Sequence, residues 1–350
     1  MIRALHSFWL CWLLFMPLAA AVDLDAYDED VAAVLRDFNI QPSPDTDNST
    51  DPKPSILVFI GVADSSTVID FDAGLVTVTA LTVERLRDAI VEVLLTQIDP
   101  SVIDARTAQD FGLVNNTTRK PFFWQQIVDH KGKPIEHVWS AEIFAEYLTR
   151  GIVNRNGRFR VDIRMVDEHK DIAGGKYIQL AQVAGRKHDV SVPLMMAIME
   201  TESSFNPLAR SRSNALGLMQ IKPTTAGRDY FSIIKGYKHT PSASYLYKPK
   251  NNIEVAAGYL QILQTRYLSG IKHPKKLQYA VISSYNGGAG NLWRSFDRKG
   301  NKTKAVARIN KMTVRQFYRF LTQRHIRAET RSYVRKVVGR QEKYMYLASD

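Results

Sequence analysis

Two glutamates one residue apart, Glu200 and Glu202, have a setting that could support acid–base chemistry; they lie in the stretch M-E-T-E-S-S-F-N-P (199–207). A carboxyl group on an apolar surface without a cation has its charged form disfavoured, so its pKa rises and it can donate a proton near neutral pH. On a helix that turns about 100° per residue, Glu202 falls on the apolar face with Leu194 and Ile198, whereas Glu200 falls on the opposite side. We predict that Glu202 is the chemical group and that Glu200 is an ordinary surface charge.

No second carboxylate follows Glu202 closely, because the next acidic residue along the chain is Asp229. Glycosidases that use two carboxylates need a second Asp or Glu as the nucleophile or as the base that activates water. A residue distant in the sequence could still fold into the site. A single acid suits a reaction whose nucleophile belongs to the substrate, and a buried structural glutamate is the alternative interpretation of Glu202.

Four motifs that follow one another in the second half of the chain resemble a known family. They are E-S-S-F-N-P (202–207), G-L-M-Q (217–220), S-Y-N-G-G (284–288) and E-T-R-S-Y-V (329–334). Together they resemble the soluble-lytic-transglycosylase domain, which is related to goose-type lysozyme, over about residues 175–345. The acidic and α+β region before them resembles the N-terminal part of membrane-bound lytic murein transglycosylases.

The resemblance implies cleavage of the β-1,4 bond between MurNAc and GlcNAc in peptidoglycan without water. Glu202 would protonate the glycosidic oxygen, and an oxocarbenium-like state would form with help from the N-acetyl group of the substrate. The resulting carboxylate would then take the proton of the C6 hydroxyl, which closes onto C1 and gives 1,6-anhydro-MurNAc. One residue that acts as acid and then as base agrees with the lack of a second carboxylate nearby in the sequence.

The resemblance also implies substrate-binding residues, position by position: two serines that line the site, a loop that packs under the sugars, a pair that faces the acid and a late tyrosine that can reach it. These candidates are Ser211, Ser213, Gly217, Met219, Gln220, Tyr285, Asn286 and Tyr333. For Met219, Tyr285 and Tyr333, a plain role in the core is the alternative. No cofactor is implied, and neither a His/Cys ligand spacing nor an Asp-rich loop indicates a metal site.

The elements that must position these residues differ between the two halves of the chain. In the first half, alternating and apolar runs predict a small α+β domain. Its predicted elements are strands at 55–62, 67–72, 75–80 and 159–166, a helix from Thr82 to about Ile98, and a strand pair around 131–133. In the second half, helical spacing predicts a mostly α domain with helices at 176–188, 191–204, 251–268, 275–285, 304–310, 312–324 and 329–341.

A chain of 350 residues is too long for one ordinary core, so we expect more than one domain. We predict an α+β protein: a small α+β N-terminal domain at 55–170 followed by a mostly α, lysozyme-like catalytic domain at 171–350. An acidic segment and a linker rich in Pro, Asp, Ser and Thr occupy 22–54.

Residues 1–21 are predicted to be a signal peptide, because a short positive region precedes an apolar run and Ala19–Ala21 offers a cleavage site. An uncleaved anchor is the alternative, although the run is short of the roughly 20 residues that span a bilayer. The single cysteine, Cys11, follows Trp9 and Leu10 rather than small residues, so a lipid anchor is disfavoured. We expect an exported protein of the periplasm or cell envelope, with peripheral contact to the envelope membrane left open.

Charge is divided along the chain. Residues 22–100 hold 4 Lys and Arg against 16 Asp and Glu, whereas residues 201–350 hold 28 against 7, a difference of +21. A basic domain favours an anionic partner, and peptidoglycan strands carry peptide carboxylates. Export and the absence of aromatic-interleaved basic motifs argue against nucleic acid. A hydrolytic muramidase and a non-catalytic peptidoglycan-binding protein remain the competing functions, and the sequence does not indicate an oligomeric state.

Overall fold

The computed structural model describes residues 54–60, 65–97 and 120–349. The predicted signal peptide and nearly all of the acidic segment lie outside these residues. None of the helices within the described part of the chain is long and apolar enough to span a membrane.

A four-stranded antiparallel sheet forms the first part of the fold, in the order β1 (Ile56–Ile60), β2 (Ser65–Asp70), β3 (Leu75–Ala80) and β4 (Phe159–Arg164). The turn between β2 and β3 is closed by Asp70, whose Oδ1 accepts the N–H groups of Asp72 and Ala73 at 2.9 and 3.0 Å. These strands confirm the four that the sequence predicts.

The predicted strand pair around Lys131–Lys133 is wrong, because this segment forms only an isolated bridge between Val128 and Pro134. The side chain of Asp129 accepts the N–H groups of Lys131 and Lys133 at 2.8 and 2.9 Å. These two N–H groups are therefore bonded to Asp129 and cannot form the strand-to-strand hydrogen bonds of a longer β-ladder.

Two helices pack beside the sheet. Helix α1 (Val83–Leu95) begins at Thr82, whose side chain accepts the N–H of Arg85 as predicted. Helix α2 (Val138–Leu148) packs against α1 and was not predicted. Leu86 and Ile90 of α1 join the buried side chains of the sheet in one hydrophobic cluster.

The rest of the fold is helical, as predicted, and the protein is thus α+β with a mostly α C-terminal part. Its helices are α3 (His169–Gly175), α4 (Ile178–His188), α5 (Val192–Ser203), α6 (Ala243–Tyr247), α7 (Pro249–Ile262), α8 (Pro274–Gly287), α9 (Ala289–Phe296), α10 (Lys302–Lys311), α11 (Val314–Gln323) and α12 (Ala328–Lys343). All seven predicted helices are present, and the one predicted at 251–268 continues beyond α7 into a π-helical turn, Leu263–Tyr267. The short helices α3, α6 and α9 were missed, and so were the π-helical segments Pro223–Gly227 and Tyr230–Ile234.

Helix α5 lies near the centre of the helical part and packs against α4 and α12, while α8 packs against α12. Their apolar side chains form a second hydrophobic cluster, separate from that of the sheet. Leu57 of β1 packs against both clusters. The two parts are therefore in contact, and a boundary near residue 170 remains a proposal.

Candidate active site

Glu202 lies in the last turn of α5, a helix whose other side chains are almost all buried. Pro193 stands in the first turn, where its missing N–H costs no hydrogen bond. The helix ends at Ser203, and Ser204 follows in a left-handed conformation with φ 50° and ψ 38°. Glu202 is only partly buried, because the end of the helix brings it to the wall of a cleft.

The carboxyl group of Glu202 is bonded to the hydroxyl of Tyr333, which donates to Oε1 at 2.7 Å. Burial has the largest influence on this group and raises its pKa to about 7. The hydrogen bond from Tyr333 and the positive charge of Lys222 lower the pKa, while the negative charge of Glu329 raises it. Near neutral pH, Glu202 therefore exists in both its protonated and its charged form, as acid–base catalysis requires.

The cleft beside Glu202 has a volume of about 780 Å³. Six of the eight predicted substrate-binding residues line it together with Glu202. They are Ser211, Ser213, Gln220, Tyr285, Asn286 and Tyr333. Gly217 and Met219 are not among the residues that line the cleft.

Ser211 and Ser213 lie in the loop that follows α5. The hydroxyl of Ser211 is 3.1 Å from that of Ser213 and accepts the N–H of Ala215 at 3.0 Å. Asn214 has a φ of 59°, a conformation that asparagine tolerates better than most residues. The loop thus fixes Ser211 and presents the exposed Ser213 at the rim of the cleft.

The G-L-M-Q loop is held by Asn252 of α7, a residue that the sequence analysis missed. The Asn252 amide donates to the carbonyl oxygens of Leu216 and Leu246 at 2.8 Å each. Its oxygen accepts the N–H of Met219 at 2.8 Å. Gly217 has a φ of 72°, and a Cβ there would lie 2.4 Å from the Asn252 amide nitrogen. Only glycine is compatible with this backbone approach.

The side chain of Met219 is fully buried in the core. Its carbonyl oxygen accepts the hydroxyl of Tyr285 at 2.8 Å, so Tyr285 lines the cleft with its hydroxyl hydrogen already used. The amide of Gln220 donates to the carbonyl oxygens of Ala209 and Gly217 at 3.1 and 3.0 Å. Among the described residues, the buried Oε1 of Gln220 has no hydrogen-bond partner.

A second carboxylate, Glu329, lies in the same cleft, although none was predicted from the sequence. It accepts hydrogen bonds from the amide of Asn286 at 2.7 Å and from the guanidinium of Arg327 at 2.9 Å. The oxygen of Asn286 in turn accepts the hydroxyl of Thr330 at 2.6 Å. Glu329 precedes Tyr333 by four residues, so the E-T-R-S-Y spacing on a helix was a signal that could have found it.

The prediction for Glu200 is wrong, since this residue is only 6% exposed. Its Oε2 accepts the hydroxyl of Tyr344 at 2.5 Å, and its two oxygens lie 3.4 and 3.5 Å from the cationic groups of Arg340 and Lys343. The end of α12 and the turn that follows it cover the side of α5 that the helical wheel assigned to solvent. These partners come from the far end of the chain, so no local pattern indicates them.

Within residues 54–60, 65–97 and 120–349, no group of three or more His, Cys, Asp or Glu side chains is arranged to hold a metal ion. The cleft instead brings together two carboxyl groups, Glu202 and Glu329, with hydroxyl, amide and cationic side chains. The carboxyl group of Glu202 can transfer a proton to and from a polar ligand bound in the cleft.

Comparison with known proteins gives two family matches. The profile described as "Transglycosylase SLT domain" matches residues 179–307. The profile described as "Membrane-bound lytic murein transglycosylase C, N-terminal domain" matches residues 57–176.

Two curated relatives match most of the chain. Membrane-bound lytic murein transglycosylase C of Serratia proteamaculans is 40% identical over 287 residues, which are 79% of this chain and 78% of that protein. The protein of the same name from Edwardsiella ictaluri is 42% identical over 286 residues, with the same shares. Among solved structures, the 70 kDa soluble lytic transglycosylase of Escherichia coli aligns with a TM-score of 0.37 and 21% identity, over 60% of this chain and 28% of that chain.

Proposed function

The chain belongs to the family of membrane-bound lytic murein transglycosylase C, and from that premise we propose that it cleaves the β-1,4 bond between MurNAc and GlcNAc of peptidoglycan and leaves 1,6-anhydro-MurNAc ends. The setting of Glu202 is the observation that carries this proposal. Its carboxyl group lines a cleft, has a pKa raised to about 7 and is bonded through one oxygen to Tyr333.

In the first step, the protonated carboxyl group of Glu202 donates its proton to the oxygen that joins the two sugars, and the bond between that oxygen and C1 of MurNAc breaks. A pKa near the working pH keeps a large fraction of the group protonated and still allows it to give up its proton. Positive charge develops at C1, where the N-acetyl group of the sugar stabilises it. The hydrogen bond from Tyr333 stabilises the carboxylate that Glu202 becomes.

In the second step, this carboxylate takes the proton of the C6 hydroxyl of the same sugar, and the C6 oxygen bonds to C1. Glu202 regains the proton that it gave, so the enzyme returns to its starting form and no water is consumed. One acid–base group is sufficient for both steps. The nucleophile comes from the substrate.

The other residues of the cleft serve the substrate. We assign Ser211 and Ser213 to the wall that contacts the sugars through hydroxyl groups, and Gln220 to the same wall, where its amide supports the G-L-M-Q loop. Tyr285 and Asn286 form the facing wall, where Asn286 is held by Glu329 and Thr330. Two of the candidates, Gly217 and Met219, act indirectly because their backbone holds the loop and the hydroxyl of Tyr285.

Glu329 makes a hydrolytic muramidase the second candidate, since a second carboxylate could activate water. The position of Glu329 in the cleft and its electrostatic effect on Glu202 favour the hydrolytic function. Both of its oxygens, however, are already bonded, one to Asn286 and the other to Arg327. A carboxylate whose two oxygens both accept hydrogen bonds from the protein is a poor base. We therefore propose that Glu329 positions Asn286.

The substrate places the enzyme in the cell envelope, and the relatives are named membrane-bound. We propose that the predicted signal peptide at residues 1–21 exports the chain to the periplasm. A lipid anchor at Cys11 is not proposed, because Trp9 and Leu10 precede it.

The test is digestion of purified peptidoglycan sacculi by the parent protein, by Glu202→Gln and by Glu342→Gln. Gln keeps the size of the side chain but cannot donate and regain a carboxyl proton. Glu342 lies on α12 with its side chain exposed and outside the cleft, so it is the matched control. We expect release of soluble muropeptides to fall at least about a thousand-fold in Glu202→Gln, because proton transfer is lost in both steps, and to stay at the parental level in Glu342→Gln. Full activity of Glu202→Gln would overturn the assignment.

A further inference from the structure

We propose that Asp72, a residue of the N-terminal sheet region, is a positioning residue for Glu202, because it anchors the end of α5 through a hydrogen bond from Ser204. The inference rests on the proposed function, since it gives the N-terminal part a role in the reaction at Glu202. It makes the sheet a part of the catalytic framework.

Asp72 lies in the turn between β2 and β3 and reaches the helical part from there. Its Oδ1 accepts the hydroxyl of Ser204 at 3.1 Å and the ammonium group of Lys170 at 2.7 Å. Burial by itself would raise the pKa of Asp72, but the bonds from Lys170 and Ser204 and the charge of Arg340 hold it below its ordinary value. Asp72 is therefore a carboxylate over the whole range in which Glu202 titrates.

The segment that Asp72 contacts is held in an unfavourable backbone conformation. Ser204 and Phe205 have φ angles of 50° and 64°, and left-handed conformations of such residues persist only where the surroundings enforce them. Phe205 is fully buried, and its ring stacks on that of Tyr177 with centroids 6.3 Å apart. The bond to Asp72 supplies the corresponding restraint on Ser204.

A second contact ties the same segment to the N-terminal part. The amide of Asn206 donates to the carbonyl oxygen of Pro54 at 2.9 Å, and Pro54 itself lines the cleft. The side chains of both Ser204 and Asn206 are thus bonded to residues that precede or belong to the sheet region. Two independent bonds support an anchor at the end of α5.

The helical geometry connects this anchor to Glu202. The N–H of Ser204, the residue that follows the helix, donates to the carbonyl oxygen of Glu200 at 3.3 Å and closes the last turn, which contains Glu202. Glu200 is held by Arg340 at 3.4 Å, and Ser204 is held by Asp72. These two anchors therefore fix the last turn, and its orientation determines the 2.7 Å bond between Glu202 and Tyr333. Catalytic groups need placement within about 0.5 Å, so a loosened turn would cost rate.

The test compares Asp72→Ala, Ser204→Ala, the double variant and Lys170→Ala in the full chain. Lys170→Ala is the matched control, because it removes the ion pair of Asp72 and leaves the bond to Ser204. We expect kcat for muropeptide release to fall about ten-fold in each of the first two variants, with KM changed less than about two-fold and Lys170→Ala near the parental value. The double variant should be no slower than either single variant, since both remove the same bond.

Two further measurements distinguish a positioning role of Asp72 from a contribution to the stability of the whole fold. Asp72→Asn keeps an oxygen that can accept the Ser204 hydroxyl, so we expect it to restore most of the kcat. Hydrogen exchange of the backbone amides at 201–206 should become faster in Asp72→Ala and stay unchanged in Lys170→Ala.

Parental kcat in Asp72→Ala would overturn the inference, and so would equal losses in Asp72→Ala and Lys170→Ala. A parent without activity, or a fully active Glu202→Gln, would instead overturn the proposed function. In that case the exchange measurement still decides the anchor, because unchanged exchange at 201–206 in Asp72→Ala would contradict it.

Discussion

Opposing influences act on the pKa of the Glu202 carboxyl group. Burial favours the protonated form and raises the pKa to about 7, whereas the Tyr333 hydroxyl and the charge of Lys222 favour the carboxylate. A group that must both give and take a proton needs neither form to be strongly preferred. The balance at Glu202 meets this requirement with side chains from three separate segments of the chain.

Tyr333→Phe tests this balance, because it removes only the hydroxyl that donates to Glu202. That bond stabilises the carboxylate, so its loss raises the pKa of Glu202 above the parental value of about 7. In the proposed reaction the protonated form of Glu202 acts first, so the rate is expected to decline as the pH rises through the pKa. We expect this decline to move to higher pH in the variant, and kcat at neutral pH to fall about ten-fold because the carboxylate intermediate loses its donor.

Initial rates of muropeptide release across the neutral pH range check this prediction. Tyr346→Phe is the matched control, since Tyr346 is 66% exposed and its hydroxyl lies away from the cleft. The rate of muropeptide release could instead fall at the same pH in Tyr333→Phe as in the parent, or at a lower pH. Either result would show that Tyr333 does not stabilise the charged form of Glu202.

The two glutamates show how far a local pattern predicts a residue's surroundings. The helical wheel placed Glu202 on the apolar face of α5, and in the structure it lies partly buried at the wall of the cleft. The same wheel placed Glu200 in solvent, but Glu200 is bonded to Tyr344 and lies beside Arg340 and Lys343. A wheel shows which residues share a face, and it cannot show that a helix is covered on both faces by distant segments.

Helices α5, α8 and α12 and the G-L-M-Q loop are the elements that shape the cleft. Their close approach depends on glycines at defined places. A Cβ on Gly287, at the end of α8, would lie 2.6 Å from the hydroxyl oxygen of Thr330 on α12. The two helices therefore meet at a distance that glycine alone permits, which brings Asn286 into reach of Glu329.

Gly217→Ala tests whether the G-L-M-Q loop requires glycine at its first position. The φ of 72° and the backbone oxygen of Leu246, 2.7 Å from the added Cβ, leave no unstrained place for a methyl group. We expect a loss of about 2 kcal/mol in the free energy of unfolding, together with lower activity, because the carbonyl of Met219 that holds Tyr285 is displaced.

Gly290→Ala is the control, since no atom lies within 4 Å of an added Cβ there and Gly290 is inside α9. Alanine favours a helix, so this variant should be as stable as the parent or more so. Thermal unfolding of both variants gives the comparison. Equal stability of Gly217→Ala and the parent would mean that the loop does not need glycine.

Strong local signals explain which elements were predictable. Thr82 caps α1, and Thr313 with Gln316 forms a capping box at the start of α11. Helix α2 was missed because apolar residues such as Trp139 and Ile143 lie on its exposed side and blur its periodicity. Helix α9 was missed because the glycines around Ala289 give its start the sequence of a loop.

Across the whole molecule, positive charge is concentrated in the helical part, with 28 Lys and Arg against 7 Asp and Glu in residues 201–350. Lys222 and Lys336 bring some of this charge to the cleft itself. Both side chains are exposed, so the carboxylates of peptides attached to a bound glycan strand could reach them.

The double variant Lys222→Ala/Lys336→Ala tests whether this charge serves binding. We expect its KM for peptide-bearing strands to rise several-fold and its sensitivity to salt to decrease, because screening weakens attraction between exposed charges. Strands stripped of their peptides should give the same KM in the variant and the parent, although kcat can change because loss of Lys222 raises the pKa of Glu202. Lys250→Ala/Lys311→Ala, which removes two exposed lysines outside the cleft, is the control. Equal effects of both pairs on KM would assign the attraction to overall charge.

The α+β class and the order of its two parts were predictable, because period-two runs precede helical spacing along the sequence. The contact between those two parts was not predictable from the sequence. The bonds from Ser204 to Asp72 and from Asn206 to Pro54 join residues 132 and 152 positions apart. Such contacts depend on how two packed surfaces meet, which no local pattern records, and the role proposed for the sheet region could be inferred only from the structure.

The most direct measurement is mass spectrometry of the muropeptides released from sacculi in water enriched in oxygen-18, with the parent protein and with Glu202→Gln. Intramolecular attack by the C6 hydroxyl predicts anhydro ends that are one water lighter than reducing ends and carry no heavy oxygen. Glu202→Gln should release none of them. Reducing ends that carry oxygen-18 would contradict the central claim, because they would show that water is the nucleophile and that the enzyme is a hydrolase.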